Sequence, residues 1–329
     1  MAAQDNDWEG VRLHVVTGKG GTGKTTVASA LALALAAGGR RVLLTEVEGR
    51  QGIAQTFDTA PLPYEERKVA VAPGGGDVFA LAIDPEDALM EYLDTFYHLG
   101  RAGRGLKRLG AIDFATTIAP GMRDVLLTGK VYEAVRRKRA NRPVYDAVVM
   151  DAPPTGRITQ FLSVNAEVAG LARGGPIRHQ AESIMTLLRS PQTAVHVVSL
   201  LEDMPVQETR DAVVQLVEAK LAVGGIVVNA VRPPHLRSRA LQVAAKGRLD
   251  PAALQAGLAT VGINATDSLV DGLLAEAEEH AQRIAVEKAQ RRELAGLERP
   301  TYELPFLPGG IDRGALYELA EALQLQGAA

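Results

Sequence analysis

No cysteine occurs anywhere in the 329 residues. That excludes disulfides, thiolate zinc sites and cysteine-ligated iron–sulfur clusters, and it suits a cytoplasmic chain. Long hydrophobic runs are missing as well. The longest apolar stretch, Val27 to Ala37, is far shorter than the ~20 residues a membrane-spanning helix needs. Stable membrane insertion is therefore not expected. Nor is there an excess of one charge: 36 basic residues face 39 acidic ones, for a formal net charge of −3. A general polyanion-binding surface, and hence a nucleic-acid partner, is not expected. Residues 1–9 are polar and acidic, without the basic and apolar segments of a signal or transit peptide. With only 6 methionines, a flexible Met-rich binding surface is not expected either. What remains is an ordinary globular composition, 47% hydrophobic and 23% charged, long enough to bury a large core.

One stretch organises the rest. Gly18-Lys19-Gly20-Gly21-Thr22-Gly23-Lys24-Thr25-Thr26 fits the pattern G-x-x-x-x-G-K-[ST] in register. Before it, residues 11–16 are apolar and β-branched, as in a buried strand. After it, residues 26–35 are rich in Ala and Leu, a good helix former stopped by Gly38-Gly39. Strand, glycine loop and helix together aim backbone N–H groups and a helix N-terminus at phosphate oxygens. The stretch predicts a nucleoside triphosphate site built from Gly18, Gly20, Gly21, Thr22, Gly23, Lys24, Thr25 and Thr26. Lys24 would reach the β/γ-phosphates, and the Thr25 hydroxyl would ligate Mg²⁺.

Further strands are expected at 41–47, 78–84, 144–151, 194–200, 225–229 and 302–304, with a Pro/Gly-rich surface loop between the first two. Residues 85–139 read as helical, broken by basic Arg101 to Arg108. Residues 206–221, 235–297 and 315–323 read as helical too. Alternation of this kind implies an α/β fold with a doubly wound, mostly parallel sheet flanked by helices and right-handed crossovers. The organisation expected is a tail over 1–9 and one domain over 10–329. A helical insertion at about 85–140 and a further helical stretch at about 235–298 belong to that domain. No second copy of the loop occurs, so each chain carries one nucleotide site.

Lys19 is a second lysine, directly after the first glycine, in the signature GKGGxGK. Asp151-Ala152-Pro153-Pro154-Thr155-Gly156 follows a strand in the manner of the switch II pattern D-T-A-P-T-G. Glu202 with Glu208-Thr209-Arg210 matches E-x5-E-T-x-R, Asn229 ends a V-V-N strand, and Pro305-Phe306-Leu307-Pro308 precedes Arg313-Gly314. In this order and spacing, from 11 to 323, the chain resembles the ArsA family of arsenite-pump ATPases. That family also contains the eukaryotic ATPase that targets tail-anchored membrane proteins. The resemblance implies a P-loop ATPase that binds ATP and Mg²⁺ and works as a dimer. By it, Thr25 and Asp151 hold the Mg²⁺ shell, and Lys19 reaches the partner's nucleotide much as an arginine finger does. It likewise puts Asn229 on an adenine edge, Glu202 near nucleotide at the dimer interface, and Pro305 and Phe306 beside the base.

The sequence departs from the family at switch I. Where relatives have D-P-A-H, with the Asp orienting the attacking water, this chain has Glu46-Val47-Glu48-Gly49. Glu46 is the expected water-positioning residue, with Glu48 behind it. Its extra methylene matters, because misplacement by about 1 Å can cost on the order of 100-fold. Without cysteine there is neither the zinc-binding pair of the tail-anchored targeting dimer nor a sulfur site for arsenite. A single ATPase half calls for a homodimer, or for a heterodimer with a paralogous ATPase. The insertion stands where relatives bind a hydrophobic protein client. Tyr92, Leu93, Phe96, Tyr97, Phe114, Met122 and Leu126 would line a groove there or form the insertion's own core. Two competing readings are a weakly hydrolysing scaffold paired with an active paralogue and a partitioning-type ATPase on DNA or membrane. The acidic helix at 316–323 argues against the latter.

Overall fold

The computed structural model describes residues 8–97, 121–171 and 176–329. The N-terminal half runs β1 (Leu13–Gly18), α1 (Lys24–Ala36), β2 (Arg41–Glu46), α2 (Gly52–Thr56), β3 (Arg67–Val71), β4 (Asp77–Ala82) and α3 (Pro85–Tyr97). Next come α4 (Met122–Arg136), β5 (Lys138–Arg139), β6 (Arg142–Pro143), β7 (Ala147–Asp151), α5 (Thr155–Leu171), α6 (Pro176–Leu188) and β8 (Thr193–Ser199). The remainder is α7 (Asp203–Glu218), β9 (Val223–Val231), α8 (Ser238–Ala244), α9 (Pro251–Thr260), α10 (Asp267–Ala295), β10 (Thr301–Pro305) and α11 (Arg313–Leu325).

Eight strands form one sheet in the order β10-β9-β8-β1-β7-β2-β4-β3. Every neighbouring pair is parallel except β3 with β4, while β5 and β6 make a separate short hairpin. Side chains alternate between two apolar faces, as they must in a strand covered on both sides. Val42, Leu44, Val78, Ala80 and Val149 face a core shared with α1, α2 and α11. Leu43, Leu81, Val148 and Met150 face a second core with α3, α4, α5 and α6. Helix α1 is buried from Val27 to Ala36. A helix that is apolar all round is stable only when covered on all sides.

This topology brings β1, β2 and β7 side by side, in a register that pairs Val16 and Glu46 with Asp151. Gly18, Glu46 and Asp151 therefore emerge together at the carboxyl ends of central strands, where open parallel sheets bind ligands.

Two features differ from the sequence expectation. Residues 67–71, inside the expected surface loop, form the antiparallel edge strand β3, whose residues are exposed or half-buried without alternation and whose register shifts between Lys68 and Ala70. Trp8, in the expected tail, is buried and donates its indole N–H to the Tyr302 hydroxyl at 2.7 Å. Of the two alternatives open for Leu126, groove or core, it takes the core, one shared by α4, α5 and α6. Tyr92 packs half-buried against the same core, Leu93 is half-buried and Met122 is exposed. Phe96 and Tyr97 lie in the last turn of α3, whereas Phe114 and the basic run Arg101 to Arg108 fall outside the described residues. No helix among the described residues is long and apolar enough to cross a membrane.

Candidate nucleotide site

The loop leaves β1 at Gly18 and enters α1 at Lys24. Gly18 lies so close to β8 that a Cβ there would collide with the Val198 carbonyl. Gly23 takes the N-cap position with φ 85°, a conformation that β-carbons disfavour, and a Cβ would run into the Asn229 carboxamide. Within the loop, the Thr22 hydroxyl donates to the Lys19 carbonyl at 2.9 Å. Helix α1 has no side-chain cap and no acid in its first turn. Its first N–H groups, which a capping side chain would normally take up, are thus left for an anion. Lys24, Thr25 and Thr26 are half-buried at this open end.

Facing them are two carboxylates. The Thr25 hydroxyl donates to Asp151 Oδ2 at 2.6 Å, and the backbone N–H of Ile53 donates to Glu46 Oε2 at 3.1 Å. Burial pushes the Asp151 carboxyl up to about 6, against the Thr25 hydrogen bond and the Lys24 charge, while Glu46 and Glu48 push it further up. Asp151 Oδ1 and Glu46 Oε1 are buried without a hydrogen-bond partner. Orphaned carboxylate oxygens are costly, and an all-oxygen set with a neighbouring hydroxyl is what a hard divalent cation takes. The residues fit Mg²⁺. Glu46 is thus buried at 2% exposure, with one oxygen committed to the start of α2. Glu48 is partly exposed and meets Arg50 at 3.9 Å.

The other expected residues take specific places. Asn229, near the carboxyl end of β9, donates its side-chain N–H to the Thr22 carbonyl at 2.9 Å. It braces the glycine loop, a contact that strand-end spacing does not disclose. Lys19 forms an ion pair with Glu208 of α7 at 2.9 Å in its own chain. Glu202 is the exposed N-cap of α7 and makes no side-chain capping bond. Pro305 ends β10, and the Phe306 N–H donates to the Val231 carbonyl at 2.8 Å. The Arg232 guanidinium lies 4.2 Å from the Phe306 ring centre, a stacked pair that sequence reasoning missed. Arg313 fastens this loop to the end of α2 by donating to the Phe57 and Asp58 carbonyls at 2.7 and 3.0 Å.

A family model described as "Anion-transporting ATPase" matches residues 11–173, which include the loop, Glu46 and Asp151. ATPase BagA of Mycobacterium tuberculosis is 56% identical over 97% of this chain and 94% of its own length. The arsenical pump-driving ATPase of Acidiphilium multivorum is 27% identical over 66% of this chain and 39% of its own. ATPase GET3 of Rhodotorula glutinis is 26% identical over 70% and 73%. The phosphate loop, the terminal acid of β7 and the near-complete match to a relative converge: the chain belongs to the ArsA-like anion-transporting ATPase family and is an ATP-hydrolysing enzyme.

Proposed function

We propose that the chain is a Mg-ATP-driven dimeric switch, in which ATP closes two protomers and reshapes a surface that binds or releases a hydrophobic protein client. The observation that carries this reading is the loop itself. Its uncapped helix start and Lys24 suffice for one triphosphate, so Lys19 is a cation left over for a facing one. The loop amides and Lys24 hold the β/γ-phosphates. Thr25 and Asp151 would hold Mg²⁺, which when bound neutralises charge on the phosphate oxygens. Glu46, through its second oxygen, orients the attacking water. Asn229 keeps Thr22 and Gly23 in place, and Phe306 with Pro305 borders the base. The name of one relative refers to arsenical pumping, but the chain has no cysteine to hold arsenite.

A second reading is favoured by one contact. Because Ile53 engages Glu46 Oε2, the switch I carboxylate is partly spoken for. A weakly hydrolysing subunit that pairs with an active paralogue fits that geometry. Steady-state ATP turnover with Mg²⁺, alongside mass in solution, tests both. For the switch, turnover occurs in a nucleotide-dependent dimer and falls at least ~100-fold in Lys24→Ala and in Lys19→Ala. ATP binding without turnover in a monomer would sink it, and a gain of turnover in Glu46→Asp would favour the weakly hydrolysing subunit.

A further inference from the structure

Glu208, in the E-x5-E-T-x-R stretch, has no task in the proposed switch. Its carboxylate is engaged at both oxygens. Oε1 receives Lys19 Nζ at 2.9 Å, and Oε2 accepts a hydrogen bond from the Thr155 hydroxyl at 3.1 Å. Thr155 is buried and opens α5 four residues after Asp151. The turn of α7 that presents Glu208 is itself fixed, since the buried Thr209 hydroxyl donates to the Pro205 carbonyl at 2.8 Å. One carboxylate thus joins the nucleotide loop to the segment that follows β7.

A lysine cannot serve a facing protomer while anchored at home. We propose that Glu208 is the positioning residue that holds Lys19 within its own protomer until a facing triphosphate claims it. This rests on the reading of Lys19 as a group that acts across the dimer. The pair is about one-third exposed, with side-chain exposures of 29% and 34%, so it is a weak hold. Pairs of this kind bias a population by about threefold. A triphosphate, with several negative charges, outcompetes a single carboxylate for the ammonium. Once Lys19 leaves, Glu208 keeps Thr155 alone, so its departure is felt at the start of α5.

The test uses Glu208→Gln in the full chain, because glutamine can still accept from Thr155 but carries no charge. The first arm is competitive acetylation without nucleotide, read by peptide mass spectrometry. Lys19 should gain about threefold in reactivity over the exposed reference Lys220. An unchanged ratio overturns the proposal. The second arm is association with Mg-ATP, measured as mass in solution. Glu208→Gln should associate at about threefold lower concentration, and Lys19→Ala in the same chain should cancel the gain. A gain that survives Lys19→Ala also overturns it. If the wild-type chain does not associate at all, the dimer reading and the release step fail together. The labelling ratio then still decides whether Glu208 holds Lys19.

Discussion

Helices α1 and α9 are both built largely from Ala and Leu, yet they lead opposite lives. Every residue of α1 from Val27 to Ala36 is buried, whereas α9 has no buried residue at all. Their starts are opposite too. Asp250 caps α9 by accepting the Ala252 N–H at 2.9 Å, with Pro251 in the first turn, while α1 begins on a left-handed glycine with no cap. Composition makes both segments helical, but only topology decides which is buried. The difference also shows where function sits. Helix α9 needs its cap because packing contributes little. Helix α1 is held in the core it shares with α2 and α11, and can leave its first N–H groups for a ligand.

Truncating the core should separate the two helices most strongly. Leu31→Ala should cost about 3 kcal/mol in chemical denaturation, while Leu258→Ala, in half-buried surroundings on α9, should cost less than about 1 kcal/mol. Equal costs would break the comparison.

Acid should act next, through the α1 side of the sheet. His196 accepts the Gly225 N–H on Nδ1 at 3.2 Å, which leaves its proton on Nε2, 3.1 Å from His14 Nδ1. Both rings stack with Trp8. Burial holds His196 down at about 3, and burial with the neighbouring ring holds His14 well below its usual value. Both are neutral in the fold, whereas in the unfolded chain each gains a proton below pH ~6.5. Stability should therefore fall as pH drops from about 6.5 toward 3, by up to ~1.4 kcal/mol per unit for each group, with no effect from this pair above that range. His14→Gln with His196→Gln should flatten the slope. A melting temperature whose pH dependence survives both substitutions would contradict this.

The smallest effect belongs to the cap. Asp250→Ala should cost about 1 kcal/mol, seen as faster amide exchange in α9, with turnover unchanged. Protection that stays the same would mean that α9 does not depend on its cap.

The parts of the site carried by contiguous residues were legible in the sequence. The glycine loop, Lys24, Thr25 and the terminal acid of β7 follow from spacing and strand ends alone. Contacts between distant residues were not. Nothing near Lys19 announces Glu208, and nothing near Asn229 shows that its amide braces Thr22. Glu46 was legible as an acid at a strand end, but not its burial or its bond to Ile53, which depend on how α2 folds back. In the fold, β3 was hidden because it is an edge strand with only exposed and half-buried residues and a shifted register, so no apolar alternation marks it. Trp8 was hidden because its partner Tyr302 lies at the far end of the chain.

The central claim is that Lys19 of one protomer completes the site of another. The most direct measurement mixes purified Lys19→Ala with purified Lys24→Ala and follows ATP turnover with Mg²⁺. A mixed dimer contains one site with an intact Lys24 that is faced by an intact Lys19. The expected result is activity well above the sum of the two inactive variants. Turnover equal to that sum, in a mixture shown by mass to contain mixed dimers, would contradict the claim and leave Lys19 acting within its own chain.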